Sequence, residues 1–251
     1  MGHWYDSAGQ PAYEVQKADG SGLRPTTLAD ARKLTLSPSV TTILGIVAKP
    51  ALDMWKQNQI LKAVICHPPT QSTNLDIWKK KIVAMSMEEG RNAAERGTEI
   101  HDALEGYILG NGVADDMRQF VTPVAQLLDK TFGAVAWKPE SSFTHPERFG
   151  GKCDLHATEC YEYPNGIILD FKTKSTENFK SVKAYDEHCM QLVAYREGFN
   201  LPKAECYNLF ISTHEPGALL LHKWEEKSCE KSWQMFKYLL YYYKAANNFG
   251  L

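Results

Sequence analysis

No stretch of this sequence approaches the roughly 18 to 20 consecutive apolar residues that cross a bilayer. The segment from Met1 to Gln10 has neither the basic nor the apolar region of a secretory leader. Both absences lead to the expectation of a soluble, cytoplasmic protein with no membrane partner. Cysteine is sparse and scattered. Cys66, Cys153, Cys160, Cys189, Cys206 and Cys229 include no C-x-x-C pair, which argues against a zinc ribbon and a disulfide-stapled secreted fold and leaves reduced, mostly buried thiols. An excess of one charge is lacking too: Lys plus Arg is 28 and Asp plus Glu is 30, a net of −2. A histone-like polybasic binder is therefore excluded, and a polyanionic partner must be held by local basic patches or bound metal. No internal repeat, low-complexity tract, helix-turn-helix or zinc finger is visible.

What the chain has is enough apolar material for a core: 43% hydrophobic and 11% aromatic residues over 251 positions, which suits one large domain or a domain with an extension. Residues 1–36 mix Gly, Pro, Asp and Lys without a sustained period, and are expected to form an irregular arm. Residues 37–131 read as a helical region. Capping residues at Ser37 to Thr42 precede two short helices broken near Pro50, and a polar loop spans His67 to Asn74. Helical spacing then runs from Leu75 to Leu109 and again from Asp115 to Thr131. Residues 132–251 change period. Val135 to Thr144, Phe149 to Tyr161 and Gly166 to Lys174 alternate as three antiparallel strands. A helix over Phe179 to Phe199, strands over Ala204 to Thr213 and Ala218 to Trp224, and a helix over Glu226 to Asn247 follow. The order gives an α+β fold.

The chemistry concentrates in Gly150-Gly-Lys-Cys-Asp154 and, sixteen positions after that aspartate, Asp170-Phe-Lys172. Strand alternation puts Asp170 and Lys172 on one face and Leu169 and Phe171 on the other. A carboxylate in such an apolar run is costly unless it is paired or holds a metal. Two carboxylates converging there form a hard-oxygen site for Mg²⁺ or Mn²⁺, and the adjacent ammonium suits phosphodiester hydrolysis. A tight turn at Asn165-Gly166 would instead pair Tyr161 with Asp170 and leave Asp154 several residues away, so the strands must diverge, bulge or be joined by a longer loop.

Asp154 with Asp170-Phe-Lys172 resembles the PD-(D/E)xK nuclease motif. Gly97, Thr98 and His101 resemble the Gly-Thr-x-x-His helix of the RecB-like branch, and Gln191 with Tyr195 resembles its Q-x-x-x-Y signature, two side chains on one helix face. The three elements occur in the family's order over roughly residues 90 to 215. Pro38-Ser-Val-Thr-Thr42 with Trp55 is similar to phage-encoded and mitochondrial genome-maintenance exonucleases of this branch.

The resemblance implies a restriction-endonuclease-like core with a mixed central sheet flanked by helices, and a helical N-terminal half arching over the active site. It implies a metal-dependent DNA exonuclease acting on single-stranded ends without sequence specificity, releasing 5′-phosphorylated products, of phage or mobile-element origin. His101, Asp154, Asp170 and the Phe171 backbone carbonyl would bind Mg²⁺ or Mn²⁺. Lys172 would position or activate the attacking water, Gln191 and Tyr195 would fix Lys172 or the scissile phosphate, and Glu140 matches an acid that many relatives place on the first strand. Some relatives carry an iron-sulfur cluster on an upstream Cys and a C-terminal trio. No such trio follows Tyr195, so no cluster is expected.

Each residue also has an everyday reading. His101 alone would be a surface or core histidine, Gln191 a polar edge, Tyr195 a packing aromatic, and Glu140 an exposed strand acid. Lys152 and Lys174 either contact phosphates or are solvated strand lysines. Lys79, Lys80, Lys81, Arg91, Arg96, Lys180 and Lys183 offer a basic groove, and Trp55, Trp78 and Phe179 offer stacking surfaces for bases. Against that, the lysines suit a solvated face and the two tryptophans a core. Competing functions are a structure-specific endonuclease with the same site, a non-catalytic DNA-binding recombination module, and an unrelated α+β domain.

Overall fold

The computed structural model describes residues 2–71, 73–158, 160–176 and 178–249. The chain divides into two compact units, Val47–Glu99 on one hand and Met1–Ile46 with Ile100–Leu251 on the other. These boundaries differ from the three expected segments, because residues before Ile46 pack with the C-terminal half.

The arm expected to be irregular, residues 1–36, has regular elements: strands β1 (Trp4–Tyr5), β2 (Glu14–Gln16) and β3 (Leu23–Pro25) and helix α1 (Leu28–Leu34); strand β4 (Ser37–Pro38) opens the segment expected to be helical. β2 pairs with β3 and β1 with β4, all antiparallel. Pairs of two or three residues leave no period for the sequence to display. α1 starts at Thr27, which exchanges capping bonds with Asp30, and Arg24 donates to Asp30 Oδ2 at 2.6 Å. Trp4, Ala31, Leu36 and Phe249 bury one another in a small core. Helix α2 (Val40–Leu44) follows its Ser39 cap.

The smaller unit holds α3 (Pro50–Cys66), α4 (Leu75–Ser86) and the start of α5 (Glu88–Ile108). Asn74 caps α4 by accepting from the amides of Asp76 and Ile77. The long Leu75 to Leu109 pattern is thus two helices separated at Met87. Trp55 and Trp78, the candidate core residues, are half-buried; Trp78 donates to the His67 carbonyl at 2.8 Å.

In the larger unit, α6 (Arg118–Phe132) precedes β5 (Lys138–His145), β6 (Phe149–Ala157) and β7 (Ile167–Lys174). Helix α7 (Asp186–Gly198), β8 (Glu205–Ser212), β9 (Leu219–Lys223) and α8 (Glu226–Ala246) complete the chain. The sheet order is β5-β6-β7-β8-β9, antiparallel except for the parallel β7–β8 pair. The fold is α+β with a mixed sheet. One sheet face carries Leu155, Leu169, Phe171, Leu209 and Ile211 in a single core with Ile100 and Leu104 of α5 and Phe120, Val121, Val124 and Leu128 of α6. α7 is buried from His188 to Arg196. The helix expected to begin at Phe179 begins at Asp186. Phe179–Ser181 is a 3₁₀ turn with extended backbone at Val182, and the acids Asp186 and Glu187 occupy the first turn of α7.

Candidate active site

The position of Asp154 depends on the β6–β7 register, which pairs Leu155 with Leu169 and Ala157 with Ile167. One step further, Asp154 lies opposite Asp170. The tight hairpin that would pair Tyr161 with Asp170 does not form: β6 ends at Ala157, β7 begins at Ile167, and a longer loop joins them. Gly166 takes φ +84°, and a Cβ there would stand 2.4 Å from the Thr158 carbonyl oxygen.

Beyond Leu155 and Leu169 the two strands part. The Phe171 amide donates to Asp154 Oδ2 at 2.6 Å, so a side chain takes the donor that continued pairing with β6 would have used. The other half of β6 meets the arm: Ser39 bridges to Gly150, and a Cβ on Gly150 would stand 2.8 Å from the Tyr5 ring. A Cβ on Gly151 would stand 2.7 Å from Tyr195 Cε1. The Gly150-Gly151 pair therefore lets two aromatic rings close on the fork that holds the acids.

His101, on the α5 portion belonging to this unit, places Nδ1 3.6 Å from Asp154 Oδ1, with its ring edge-on to Phe171 at 5.8 Å. Lys172 Nζ lies 2.6 Å from Asp170 Oδ2 and donates to Gln191 Oε1 at 3.0 Å. Gln191 Nε2 in turn donates to the Tyr195 hydroxyl at 2.8 Å. The structure thus brings together His101, Asp154, Asp170, Lys172, Gln191 and Tyr195. Glu140 lies on β5 at φ +47°, in the cross-strand row of Asp154, and its carboxylate pairs with Lys152. Lys152 is therefore engaged by an acid, and Lys174 holds Nζ 5.8 Å from the Phe210 ring centroid.

The electrostatics follow from two carboxylates sharing a nearly dry place. Burial raises the Asp170 pKa up to about 6; Lys172 opposes the shift and Asp154 adds to it. Burial also works against the Asp154 charge, yet His101, Lys172 and the Phe171 amide outweigh it and hold the group below the ordinary aspartate range. Burial disfavours the Lys172 ammonium, but Asp170 and Asp154 more than compensate and keep its pKa above the usual lysine value. His101 is likewise raised, with burial overcome by Asp154.

Among the described residues no three or more His, Cys, Asp or Glu side chains are gathered so that they could hold a metal ion as they stand. The donor chemistry nonetheless fits a hard divalent cation: Asp170 Oδ2 accepts from Lys172 and from Asn208, and Oδ1 accepts from neither. Asp154 lies beside it with a histidine nitrogen.

Asn208 and Trp224 belong to this neighbourhood and were not singled out from sequence. Asn208 Nδ2 donates to Asp170 Oδ2 at 3.0 Å, and Trp224 Nε1 donates to Asn208 Oδ1 at 2.8 Å. An asparagine within the apolar run from Cys206 to Ile211 was the available signal. The candidate DNA contacts fall in both units. In the smaller unit Lys79 pairs with Asp76 and Arg96 with Glu99; in the larger, Lys180 and Lys183 are exposed and Phe179 half-buried.

No protein-family model matches the chain, and no curated protein matches it. Among solved structures, it matches the crystal structure of SSO0001 at 12% identity and a TM-score of 0.32, over 76% of this chain and 87% of that one.

Proposed function

We propose that the protein is a metal-dependent deoxyribonuclease of the PD-(D/E)xK kind, an exonuclease acting on single-stranded DNA ends. The observation that carries this reading is the convergence of Asp154, Asp170, Lys172 and His101 where β6 and β7 part. Structural packing alone gives no reason to bury two carboxylates side by side with the ionised form of one disfavoured.

In this reading Asp154, Asp170 and His101 hold Mg²⁺ or Mn²⁺, with the Phe171 carbonyl as a further oxygen donor. Bound there, the cation supplies Lewis-acid charge and a more acidic water. Lys172 is an ammonium, so it orients the attacking water through a lone pair and offsets charge on the phosphoryl oxygens; it does not itself remove a proton. Gln191 fixes the Lys172 amine and Tyr195 fixes the Gln191 amide. The water oxygen bonds to phosphorus and the bond from phosphorus to the 3′ oxygen breaks. One proton passes to solvent and one is taken up by the leaving oxygen, giving a 5′-phosphate and a 3′-hydroxyl.

The test is digestion of 5′-labelled, 3′-labelled and circular DNA, single- and double-stranded, with Mg²⁺ or Mn²⁺, using Lys172→Ala as the contamination control. Loss of linear but not circular DNA, absent in the variant, is the expected result and reports polarity. Cutting of circles would make the enzyme an endonuclease. Binding without cleavage would leave a DNA-binding module.

A further inference from the structure

Asn208 is fully buried in β8, and a primary amide placed there is costly unless both of its ends are satisfied. Both are. Its orientation follows from chemistry, because an indole nitrogen can only donate. The Asn208 atom 2.8 Å from Trp224 Nε1 must be the carbonyl oxygen, which turns the amide nitrogen toward Asp170 Oδ2 at 3.0 Å. Trp224 is itself anchored: its backbone amide donates to the Cys206 carbonyl at 2.9 Å, and the His222 ring stands edge-on to the indole at 4.5 Å. Strand register puts Asn208 beside Asp170 on one side and beside His222 on the other. Asp170 Oδ2 thus receives two donors, Lys172 from two residues along its own strand and Asn208 from the neighbouring strand.

We propose that Asn208, oriented by Trp224, is a positioning pair that locks the Asp170 carboxylate so that Oδ1 is the oxygen presented to a divalent cation. The inference rests on the metal-dependent reading above and concerns the chain's own residues. Trp224 acts only through the amide. Its replacement by Phe removes the donor, keeps an aromatic ring against His222, and frees the amide to turn its oxygen toward Asp170. Asn208→Asp keeps the acceptor for Trp224 and replaces the donor facing Asp170 with a second acceptor.

The experiment titrates DNA-free protein with MnCl₂ and follows free Mn²⁺ by electron paramagnetic resonance. It compares the unaltered chain, Trp224→Phe, Asn208→Asp and Asp170→Asn, with melting midpoints taken in EDTA. The unaltered chain is expected to bind Mn²⁺ and Asp170→Asn to lose it. Trp224→Phe is expected to weaken binding by about tenfold, and Asn208→Asp by more. In cleavage assays the half-saturating Mn²⁺ of Trp224→Phe should rise by the same factor, while the rate at saturating Mn²⁺ falls less than about threefold; a purely structural defect would not produce that split. If Asn208→Asp fails to fold, Trp224→Phe decides. Normal Mn²⁺ affinity in a folded Trp224→Phe, with Asp170→Asn deficient, overturns the positioning pair and leaves the nuclease reading standing. Failure of the unaltered chain to bind Mn²⁺, or equal binding by Asp170→Asn, overturns both.

Discussion

The Tyr195 hydroxyl accepts a 2.8 Å hydrogen bond from the Gln191 amide nitrogen, four residues earlier on α7. Because the nitrogen is used there, the amide oxygen is left to accept from Lys172. Tyr195 and Gln191 are both buried, so neither exchanges its partner for water. Under the nuclease reading, Gln191→Leu should slow single-turnover cleavage by roughly ten- to a hundredfold, and Tyr195→Phe by less, with DNA binding retained. Wild-type rates in Gln191→Leu would remove the relay from the mechanism.

Gly151 tests the same fork sterically. An added Cβ would stand 2.7 Å from the Tyr195 ring and 2.9 Å from the Phe143 ring. Gly151→Ala should cost about 1–3 kcal/mol of stability by urea denaturation, since a packed core accommodates an extra carbon poorly. Unchanged stability would mean that the rings have room to retreat.

Much of this arrangement was legible because it is periodic. Alternation placed Asp170 and Lys172 on one face of β7, and a spacing of four placed Gln191 and Tyr195 on one helix face. What stayed hidden depends on distant pairing. The β6–β7 register is fixed by the loop from Thr158 to Gly166, and Asn165-Gly166, read in isolation, suggested a tighter turn. β1 pairs with β4 across more than thirty residues through only two positions each. The bond between Asn208 and Trp224 joins one strand to the residue following the next, and nothing in either local pattern announces it.

Glu205 gives a pH prediction away from the site. Burial opposes its charge, but Lys223 at 2.7 Å and the Tyr207 hydroxyl at 2.5 Å outweigh it and hold the carboxyl below its ordinary value of 4.5. Between the depressed folded value and 4.5 the unfolded chain binds more protons. The stabilisation is therefore complete above 4.5 and fades as pH falls through the folded value. Glu205→Gln should lower stability by about 0.5–1 kcal/mol at pH 7, the range of a partly exposed pair. The deficit should shrink toward pH 3.5 in urea titrations. An equal deficit at both pH values would assign the effect to shape instead of charge.

Asp170 shows the opposite sign, and it links stability to the proposed chemistry. An acid raised from 3.8 to about 6 binds its proton more tightly in the native state, so stability falls as pH rises from 3.8 through about 6 and the loss is complete above that. The cation-free protein at pH 7.5 carries that strain together with repulsion from Asp154. A divalent cation bound between the two relieves both, and at a hundred times its Kd it should stabilise the fold by about 2.7 kcal/mol. Asp170→Asn removes the buried charge while Lys172 keeps Asp154 as a partner. Its melting temperature in EDTA should equal or exceed that of the unaltered chain, and adding Mn²⁺ should produce no rise. A variant that melts lower in EDTA yet still gains with Mn²⁺ would show that Asp170 serves the fold and that any cation binds elsewhere.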